Sequence, residues 1–270
     1  SEYLKQMIAL LRLEEKDEVN SLRILPGRNK LGDAENFGEL TIKKGDIVSI
    51  VGPTGSGKSR LLADIEWTAQ GDTPTLRKIL INEETPDKKW RYSSSNKLVA
   101  QLSQNMNFVM DLSVYDFLEL HAKSRMVENE VEVINKIIEE ANNLAGESFK
   151  PETPITSLSG GQSRALMIAD TAILSSSPII LIDEIENAGI DRKRALELLV
   201  KEDKIVLIAT HDPVLALMGE KRIVISNGGI ASIIETTEEE REVLGELEKM
   251  DKYIQAMRTN LRYGKKLNIN

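Results

Sequence analysis

A glycine-rich segment between a short apolar run and a helical pattern constrains this chain more than any other feature. Residues Ile47–Val51 predict a buried strand, and the pattern G-x-x-x-x-G-K-[ST] follows at once. Glycines lack a Cβ, so consecutive backbone N–H groups can curl around phosphate oxygens, while the next helix directs its positive dipole end at the same anion. We therefore predict a phosphate-binding loop made of Gly52, Pro53, Thr54, Gly55, Ser56, Gly57, Lys58, Ser59 and Arg60.

Two side chains at the end of this loop carry specific chemistry. Lys58 supplies a positive charge for the terminal phosphates, and the Ser59 hydroxyl is a ligand for a phosphate-bound Mg2+. The competing interpretation is a Gly/Ser turn that happens to contain a lysine. The strand–loop–helix context disfavours that interpretation, because the motif and its surroundings agree.

The composition limits the class of protein. The 270 residues allow one large domain or a core with a sub-domain, and the formal net charge of −8 disfavours a general nucleic-acid scaffold. The chain has no cysteine, which excludes thiolate catalysis and Cys-ligated zinc. No apolar run is long enough to span a membrane, and the N-terminus lacks a leader pattern. We expect a cytoplasmic protein that is peripheral to a membrane only through a partner.

Strand and helix patterns alternate over most of the chain, which predicts a largely parallel α/β sheet. We expect an N-terminal extension over 1–18 that contains a short amphipathic helix, a main domain over 19–236 and a helical tail over 237–270. Within the main domain, residues 40–42 and 47–51 are predicted to form a hairpin, and 223–226 and 229–234 a second one. Helical periodicity dominates the stretch from 111 to 146.

The tail has an apolar repeat. After an acidic run over 237–242, apolar residues recur at alternating spacings of four and three: Val243, Leu247, Met250, Ile254, Met257 and Leu261. Such a seam is typical of paired helices, but it covers fewer than three heptads. A single helix lying on its own domain therefore stays open as an alternative to an intermolecular seam.

Five further elements follow the glycine-rich loop in a fixed order. Gln104 follows a short strand, and Leu158-Ser159-Gly160-Gly161-Gln162 precedes a helix. The apolar strand 179–182 ends in Asp183-Glu184, Asp191 follows closely, and His211 ends the next strand. Each of these elements alone is weak evidence of function, and a Gln or His at the end of a strand more often has a structural role. Together they resemble the ATP-binding-cassette (ABC) ATPase family over about residues 19–235.

The resemblance implies an α/β fold of the P-loop NTPase class: an ABC-type nucleotide-binding domain with a mostly parallel sheet core, an antiparallel β sub-domain and a helical sub-domain at about 105–160. It also implies ATP and Mg2+ as cofactors. Asp183 would hold Mg2+ together with Ser59 and Gln104, and Glu184 would polarise the attacking water. His211 would hydrogen-bond the γ-phosphate. His121 belongs to none of these motifs and is assigned no role.

The same resemblance implies a dimer. Ser159, Gly160, Gly161 and Gln162 form a second anion site at a helix start, and in this family the segment closes over ATP held by the other subunit. The expected assembly is a head-to-tail dimer of two ABC ATPase subunits, expected to be identical, with two ATP molecules at the interface. Asp191 would lie across that interface, and hydrolysis would open it.

The sequence departs from the family at two places. Family members place an aromatic residue upstream of the loop to stack on adenine, but Asn29 or Lys30 stands there, with Phe37 and Arg28 as the nearest substitutes. Ile185-Glu186 follows Asp183-Glu184 where transport subunits usually have Pro-Thr. Base recognition and the preference for ATP over GTP are therefore open.

Three functions are compatible with these residues. The compact helical sub-domain favours a motor subunit of a membrane transporter, in which Met106, Phe108 and Met110 would receive a helix of a permease subunit or instead fill the sub-domain core. The Ile-Glu segment and the terminal helices favour a soluble ATPase that remodels or reactivates a client protein. The acidic charge weighs against a nucleic-acid-associated ATPase.

Overall fold

The computed structural model describes residues 18–87, 90, 97–103, 108–183 and 189–267, so the helix predicted over 2–16 lies outside the described residues. The described strands are β1 (Ser21–Leu25), β2 (Leu40–Lys43), β3 (Ile47–Val51), β4 (Lys78–Ile81), β5 (Val99–Leu102), β6 (Ile179–Asp183), β7 (Ile205–Ala209), β8 (Lys221–Ser226) and β9 (Gly229–Glu235). The described α-helices are α1 (Lys58–Glu66), α2 (Val114–Ser124), α3 (Glu130–Leu144), α4 (Gly160–Ile173), α5 (Arg192–Lys201), α6 (Pro213–Met218) and α7 (Glu238–Arg262).

A six-stranded sheet with the order β5-β6-β7-β3-β8-β9 forms the core. The first five of these strands pair in parallel, and β9 is antiparallel to β8. All five residues of β7 are buried, because helices cover both faces of a parallel sheet. The predicted mostly parallel sheet is confirmed, as is the final hairpin.

The hairpin predicted for residues 40–42 and 47–51 is wrong. β2 pairs with β1 in a separate antiparallel sheet of order β2-β1-β4, whereas β3 lies between β7 and β8. The turn at Gly45 (φ 84°) therefore carries the chain from one sheet to the other. The three central residues of β3 are fully buried. Burying them requires a neighbouring strand on each side, which a two-stranded hairpin does not supply.

The helical sub-domain consists of α2, α3 and the first part of α4. Apolar residues of the three helices share one buried core with the main sheet. Ser113 caps α2 by accepting a hydrogen bond from the Asp116 N–H. His121 on α2, which was assigned no role, lies with Nδ1 2.8 Å from Asp170 Oδ1 on α4. It therefore links two helices of the sub-domain.

A buried ionic cluster lies behind the glycine-rich loop. The Arg77 side chain is fully buried and donates to Asp64 Oδ2 at 2.8 Å and to Glu35. A third hydrogen bond, of 3.1 Å, runs from Arg77 Nη2 to the carbonyl of Gly228 in the β8–β9 turn. The cluster thus ties α1, the antiparallel sheet and this turn together.

The last helix, α7, lies on the surface. It starts with a capping box in which Thr237 and Glu240 bind each other's backbone N–H groups. None of its 25 residues is fully buried. Ion pairs fasten it to the domain, with Glu240 bound to Arg222 at 2.6 Å and Glu248 to Lys193 at 2.8 Å. None of the described helices combines the length and apolarity that a membrane span requires.

Candidate functional site

The glycine-rich loop connects the carboxyl end of β3 to α1, as predicted. Gly57 caps α1 in the left-handed region (φ 108°), and a Cβ on it would lie 2.7 Å from the Gly228 Cα. A Cβ on Gly52 would lie 2.4 Å from the carbonyl oxygen of Ile225. Glycine is therefore required at both ends of the loop, because the β8–β9 hairpin packs directly behind it.

Lys58 crosses the mouth of this loop. Its side chain is buried, and Nζ donates to the carbonyl of Gly52 at 2.9 Å. The same Nζ lies 3.0 Å from Nε2 of His211, which must accept the hydrogen bond because an ammonium group only donates. The structure thus brings together two predicted site residues that lie 153 positions apart.

The carboxyl ends of three neighbouring strands meet at this edge of the sheet. Asp183 is the last residue of β6 and stands level with Ala209 on β7, two residues before His211. Because β7 lies between β6 and β3, Asp183 is on the same edge as the loop. Ser59 and Arg60 are exposed in the first turn of α1. Gln104 and Glu184 lie outside the described residues.

The segment 158–162 forms the start of α4. Ser159 Oγ accepts from the Gln162 N–H at 3.3 Å, and Gln162 Oε1 accepts from the Ser159 N–H at 2.9 Å. The amide of Gln162 also donates to the carbonyl of Glu147 at 3.2 Å. Both side chains therefore shape the helix start, and they leave Ser159 and Gly160 exposed to solvent.

Asp191 has a structural role within its own chain. Its carboxylate caps α5 by accepting from the Arg194 N–H at 3.1 Å, and its N–H donates to the carbonyl of Leu144 at 2.9 Å. The preceding Gly189 (φ 66°) lies beside the start of α4, where a Cβ would be 3.8 Å from the Gly161 Cα. Residues 189–191 are thus packed against the end of α3 and the start of α4.

Arg192 is a residue that the sequence analysis missed. It pairs with Asp212, the residue after His211, and with Asp251 on α7 at 2.7 Å. Burial alone would lower the pKa of Arg192, but the hydrogen bond to Asp251 and the charge of Asp212 outweigh it and raise the pKa. A sequence signal existed: a cation in the first turn of a helix opposes the dipole and calls for carboxylate partners.

The residues upstream of the glycine-rich loop form a turn beside it. Phe37 is partly buried and packs against the core. The Asn29 carboxamide oxygen accepts from the N–H groups of Leu31 and Asp33, which fixes a tight turn. Lys30 is exposed and reaches the loop, with Nζ 3.4 Å from the carbonyl of Gly55. A cation therefore stands next to the phosphate-binding loop.

Comparison with known proteins agrees with this geometry. Residues 37–187 match the sequence model of the family described as ABC transporter. An uncharacterized ABC transporter ATP-binding protein of Methanocaldococcus jannaschii is 52% identical over 250 residues, which is 93% of this chain and 95% of that protein. A thiamine import ATP-binding protein of Haemophilus influenzae is 31% identical over 206 residues, 72% of this chain and 89% of that protein.

Solved structures share the fold. The structure of cbiO1 from Clostridium perfringens, part of the ABC transporter complex cbiONQ, has a TM-score of 0.59 and 26% identity, and the match covers 91% of this chain and 96% of that one. An ATP-binding cassette solved with ADP and phosphate has a TM-score of 0.56 at 24% identity, covering 80% and 99% of the two chains. At 24% identity, the similarity to this ATP-binding cassette shows a shared fold alone.

Proposed function

The chain belongs to the ABC ATPase family, and from this premise we propose that it is the ATP-binding subunit of a membrane transporter, which closes over two ATP molecules together with a second copy of itself. The observation that carries the proposal is the contact between Lys58 and His211 across the glycine-rich loop. A buried ammonium group beside a glycine-rich loop at a helix N-terminus attracts the terminal phosphates of a nucleotide.

The residues present suit ATP with Mg2+. The loop backbone takes a course that only glycine permits at Gly52 and Gly57, and the buried Ser56 Oγ has no hydrogen-bond partner in the part of the chain that the structure describes. Ser59, Asp183 and Gln104 are the residues that would hold Mg2+. When bound, the ion neutralises charge on the phosphate oxygens.

The remaining roles follow from position. Glu184, next to Asp183 in sequence, is proposed as the group that polarises the attacking water. The contact with Lys58 places His211 Nε2 at the loop, and with a proton on Nε2 this nitrogen would donate a hydrogen bond to the γ-phosphate. Ser159, Gly160, Gly161 and Gln162 would contact the nucleotide of the second subunit, because the start of α4 presents its free N–H groups to solvent. Asp191 would lie across the same interface.

A permease subunit is the proposed partner. Relatives are named as thiamine import and lipoprotein-releasing ATP-binding proteins, which favours transport over the soluble remodelling alternative. Phe108 stacks edge-on against Phe117 at 5.0 Å and so fills the sub-domain core, but Val109 is 91% and Met110 42% exposed. These two side chains are available to a helix from a membrane partner, which would place the chain at the cytoplasmic face.

Substitution of the loop lysine tests the nucleotide site. We expect Lys58→Ala to lower ATP affinity and turnover, whereas Lys44→Ala, which removes a partly exposed lysine bound to Glu18, leaves both unchanged. Glu184→Gln should retain ATP binding and lose turnover by about 10²–10⁴-fold. Nucleotide titration and phosphate release give the two measurements. Wild-type turnover of Glu184→Gln would remove Glu184 from its proposed role.

The assembly is tested with the same trapped variant. In size-exclusion chromatography with light scattering, ATP should shift Glu184→Gln further toward the dimer, whereas it should not change the elution of Lys58→Ala. Affinity purification of the trapped variant from detergent-solubilised native membranes should recover an integral membrane subunit. Recovery of soluble enzymes alone would contradict the transporter assignment and favour the remodelling alternative.

A further inference from the structure

An apolar stripe along α7 is open to solvent. Four of its side chains, Val243, Met250, Ile254 and Leu261, are 51%, 62%, 45% and 58% exposed. Leu247 and Met257 lie between them and are half-buried. These six residues, the α7 stripe, are the same ones whose spacing indicates a helix-pairing seam.

The four exposed residues of the α7 stripe do not hold the helix on its own domain. That attachment uses a neighbouring face, on which Glu240, Glu248 and Asp251 pair with Arg222, Lys193 and Arg192. The four exposed apolar residues of the stripe are therefore available to a different partner. Exposed apolar residues at regular helical spacing are typical of an interaction surface.

The charge of α7 changes sign at its middle. Residues 238–251 contain seven acidic and two basic side chains, whereas 252–266 contain five basic and no acidic ones. A parallel copy of the helix would place acid beside acid and base beside base. An antiparallel copy would place the acidic half of each helix beside the basic half of the other, which favours that arrangement.

The α7 stripe is symmetric about the point where the charge changes. A two-fold axis at position 252 brings Val243 level with Leu261 of the other copy, Leu247 with Met257, and Met250 with Ile254. The same axis brings Glu242 level with Arg262 and Glu246 with Arg258. One register thus satisfies both the apolar and the charged residues, as an isologous interface requires.

The position of α7 fits this partner. Arg192, which binds Asp251, follows Asp191, and its second partner Asp212 follows His211. At the other end of the helix, Arg262 lies 3.6 Å from Glu147, which binds Gln162 through its carbonyl. Both attachment points adjoin segments proposed to face the second subunit, which would place α7 at the rim of that interface.

We infer that a second copy of this chain docks on the α7 stripe, with the two helices antiparallel and the two-fold axis at position 252. The placement beside the ATP sites rests on the proposed function. The contact itself uses no nucleotide, so it holds the subunits together while the ATP sites are open.

Disulfide cross-linking tests the register of the two helices. The full chain is suited to this experiment because it contains no cysteine of its own. Val243→Cys and Leu261→Cys chains are prepared separately, mixed without nucleotide and oxidised. We expect a disulfide-linked dimer in the mixture and none in either variant alone, because like positions would lie about 27 Å apart in the antiparallel pair. Lys252→Cys, on the opposite side of the helix from Met250, is the matched control and should stay monomeric on a denaturing gel.

A charge exchange provides the second test. Glu242→Lys with Glu246→Lys should abolish the cross-link, and adding Arg258→Glu and Arg262→Glu should restore it. Cross-linking of Val243→Cys alone would indicate a parallel pair and overturn the inference, as would no cross-link in the mixture or equal cross-linking of Lys252→Cys. The ATP-dependent dimer of Glu184→Gln is measured independently, so either result can fail without the other.

Discussion

At the scale of single residues, two buried cations organise opposite sides of the nucleotide site. Lys58 faces the loop mouth and contacts His211, whereas Arg77 lies behind the loop and pairs with both Glu35 and Asp64. The first has a predicted chemical role. The second is structural, because its hydrogen bond to the Gly228 carbonyl fixes the turn on which the loop rests.

Replacing Arg77 with methionine should destabilise the protein by about 3–5 kcal/mol, since two buried carboxylates would lose their counter-charge. Urea denaturation followed by circular dichroism measures the change. The control is Arg23→Met, which removes a cation that is 24% exposed and should cost about 1 kcal/mol or less. An equal loss of unfolding free energy in the two variants would show that the burial of Arg77 does not determine how much it stabilises the protein.

Lys30 is expected to affect base recognition. Lys30→Tyr places a ring beside the loop, and stacking on a base is worth about 1–3 kcal/mol, or about fivefold or more in affinity. The gain should be similar for ATP and GTP, because every base has a π-face. Isothermal titration compares both nucleotides, with Lys30→Ala as the control for loss of the charge. A Lys30→Tyr variant that binds like Lys30→Ala would place the base elsewhere.

At the scale of elements, the close approach of the β8–β9 hairpin and the loop decides the course of the loop. Gly228 donates its N–H to the carbonyl of Ser56 at 2.6 Å, and its Cα occupies the space beside Gly57. β9 pairs antiparallel with β8 at the edge of an otherwise parallel sheet, and the turn between them lies directly behind the phosphate-binding loop. This hairpin therefore supports the conformation of the loop.

Gly57→Ala should lower both stability and nucleotide affinity. A left-handed non-glycine residue costs about 1–3 kcal/mol, and the new methyl group would also collide with Gly228. Gly45→Ala is a matched control, because Gly45 has a similar φ of 84° but open space around its Cβ position. Thermal denaturation and ATP titration should show a larger effect for Gly57→Ala. Equal melting temperatures would mean that the hairpin yields to the methyl group.

At the scale of the whole molecule, Arg192 joins three distant parts of the chain. It contacts Asp212, the residue after His211, and Asp251 on the C-terminal helix, 59 positions away. Its own neighbour Asp191 packs against the helical sub-domain. One guanidinium group thus connects the residue after His211 with α7.

Arg192→Gln should loosen α7. Loss of hydrogen bonds to charged partners costs about 1.5–3 kcal/mol, so amide exchange over residues 238–262 should accelerate about tenfold or more. Hydrogen–deuterium exchange with mass spectrometry measures the rate. Lys193→Gln removes an ion pair whose lysine is 52% exposed and should change the exchange little. Equal protection in wild type and Arg192→Gln would assign the attachment of α7 to other contacts.

Short-range features of this protein were determined by the sequence itself. The loop 52–57, the strand that ends at Asp183 and the start of α4 each depend on residues within about ten positions, whose types fix the backbone locally. The order of these motifs along the chain was sufficient to indicate the family and the mostly parallel sheet.

Only the tertiary structure decided which distant groups meet. It assigned β2 and β3 to different sheets, buried Arg77 with two carboxylates and joined Arg192 to Asp212 and Asp251. No local pattern specifies such pairs, because the free energy of a buried or shared charge depends on partners that folding brings from elsewhere in the chain. The spacing of the α7 residues predicted a seam, but only the folded domain shows that its apolar face is left exposed.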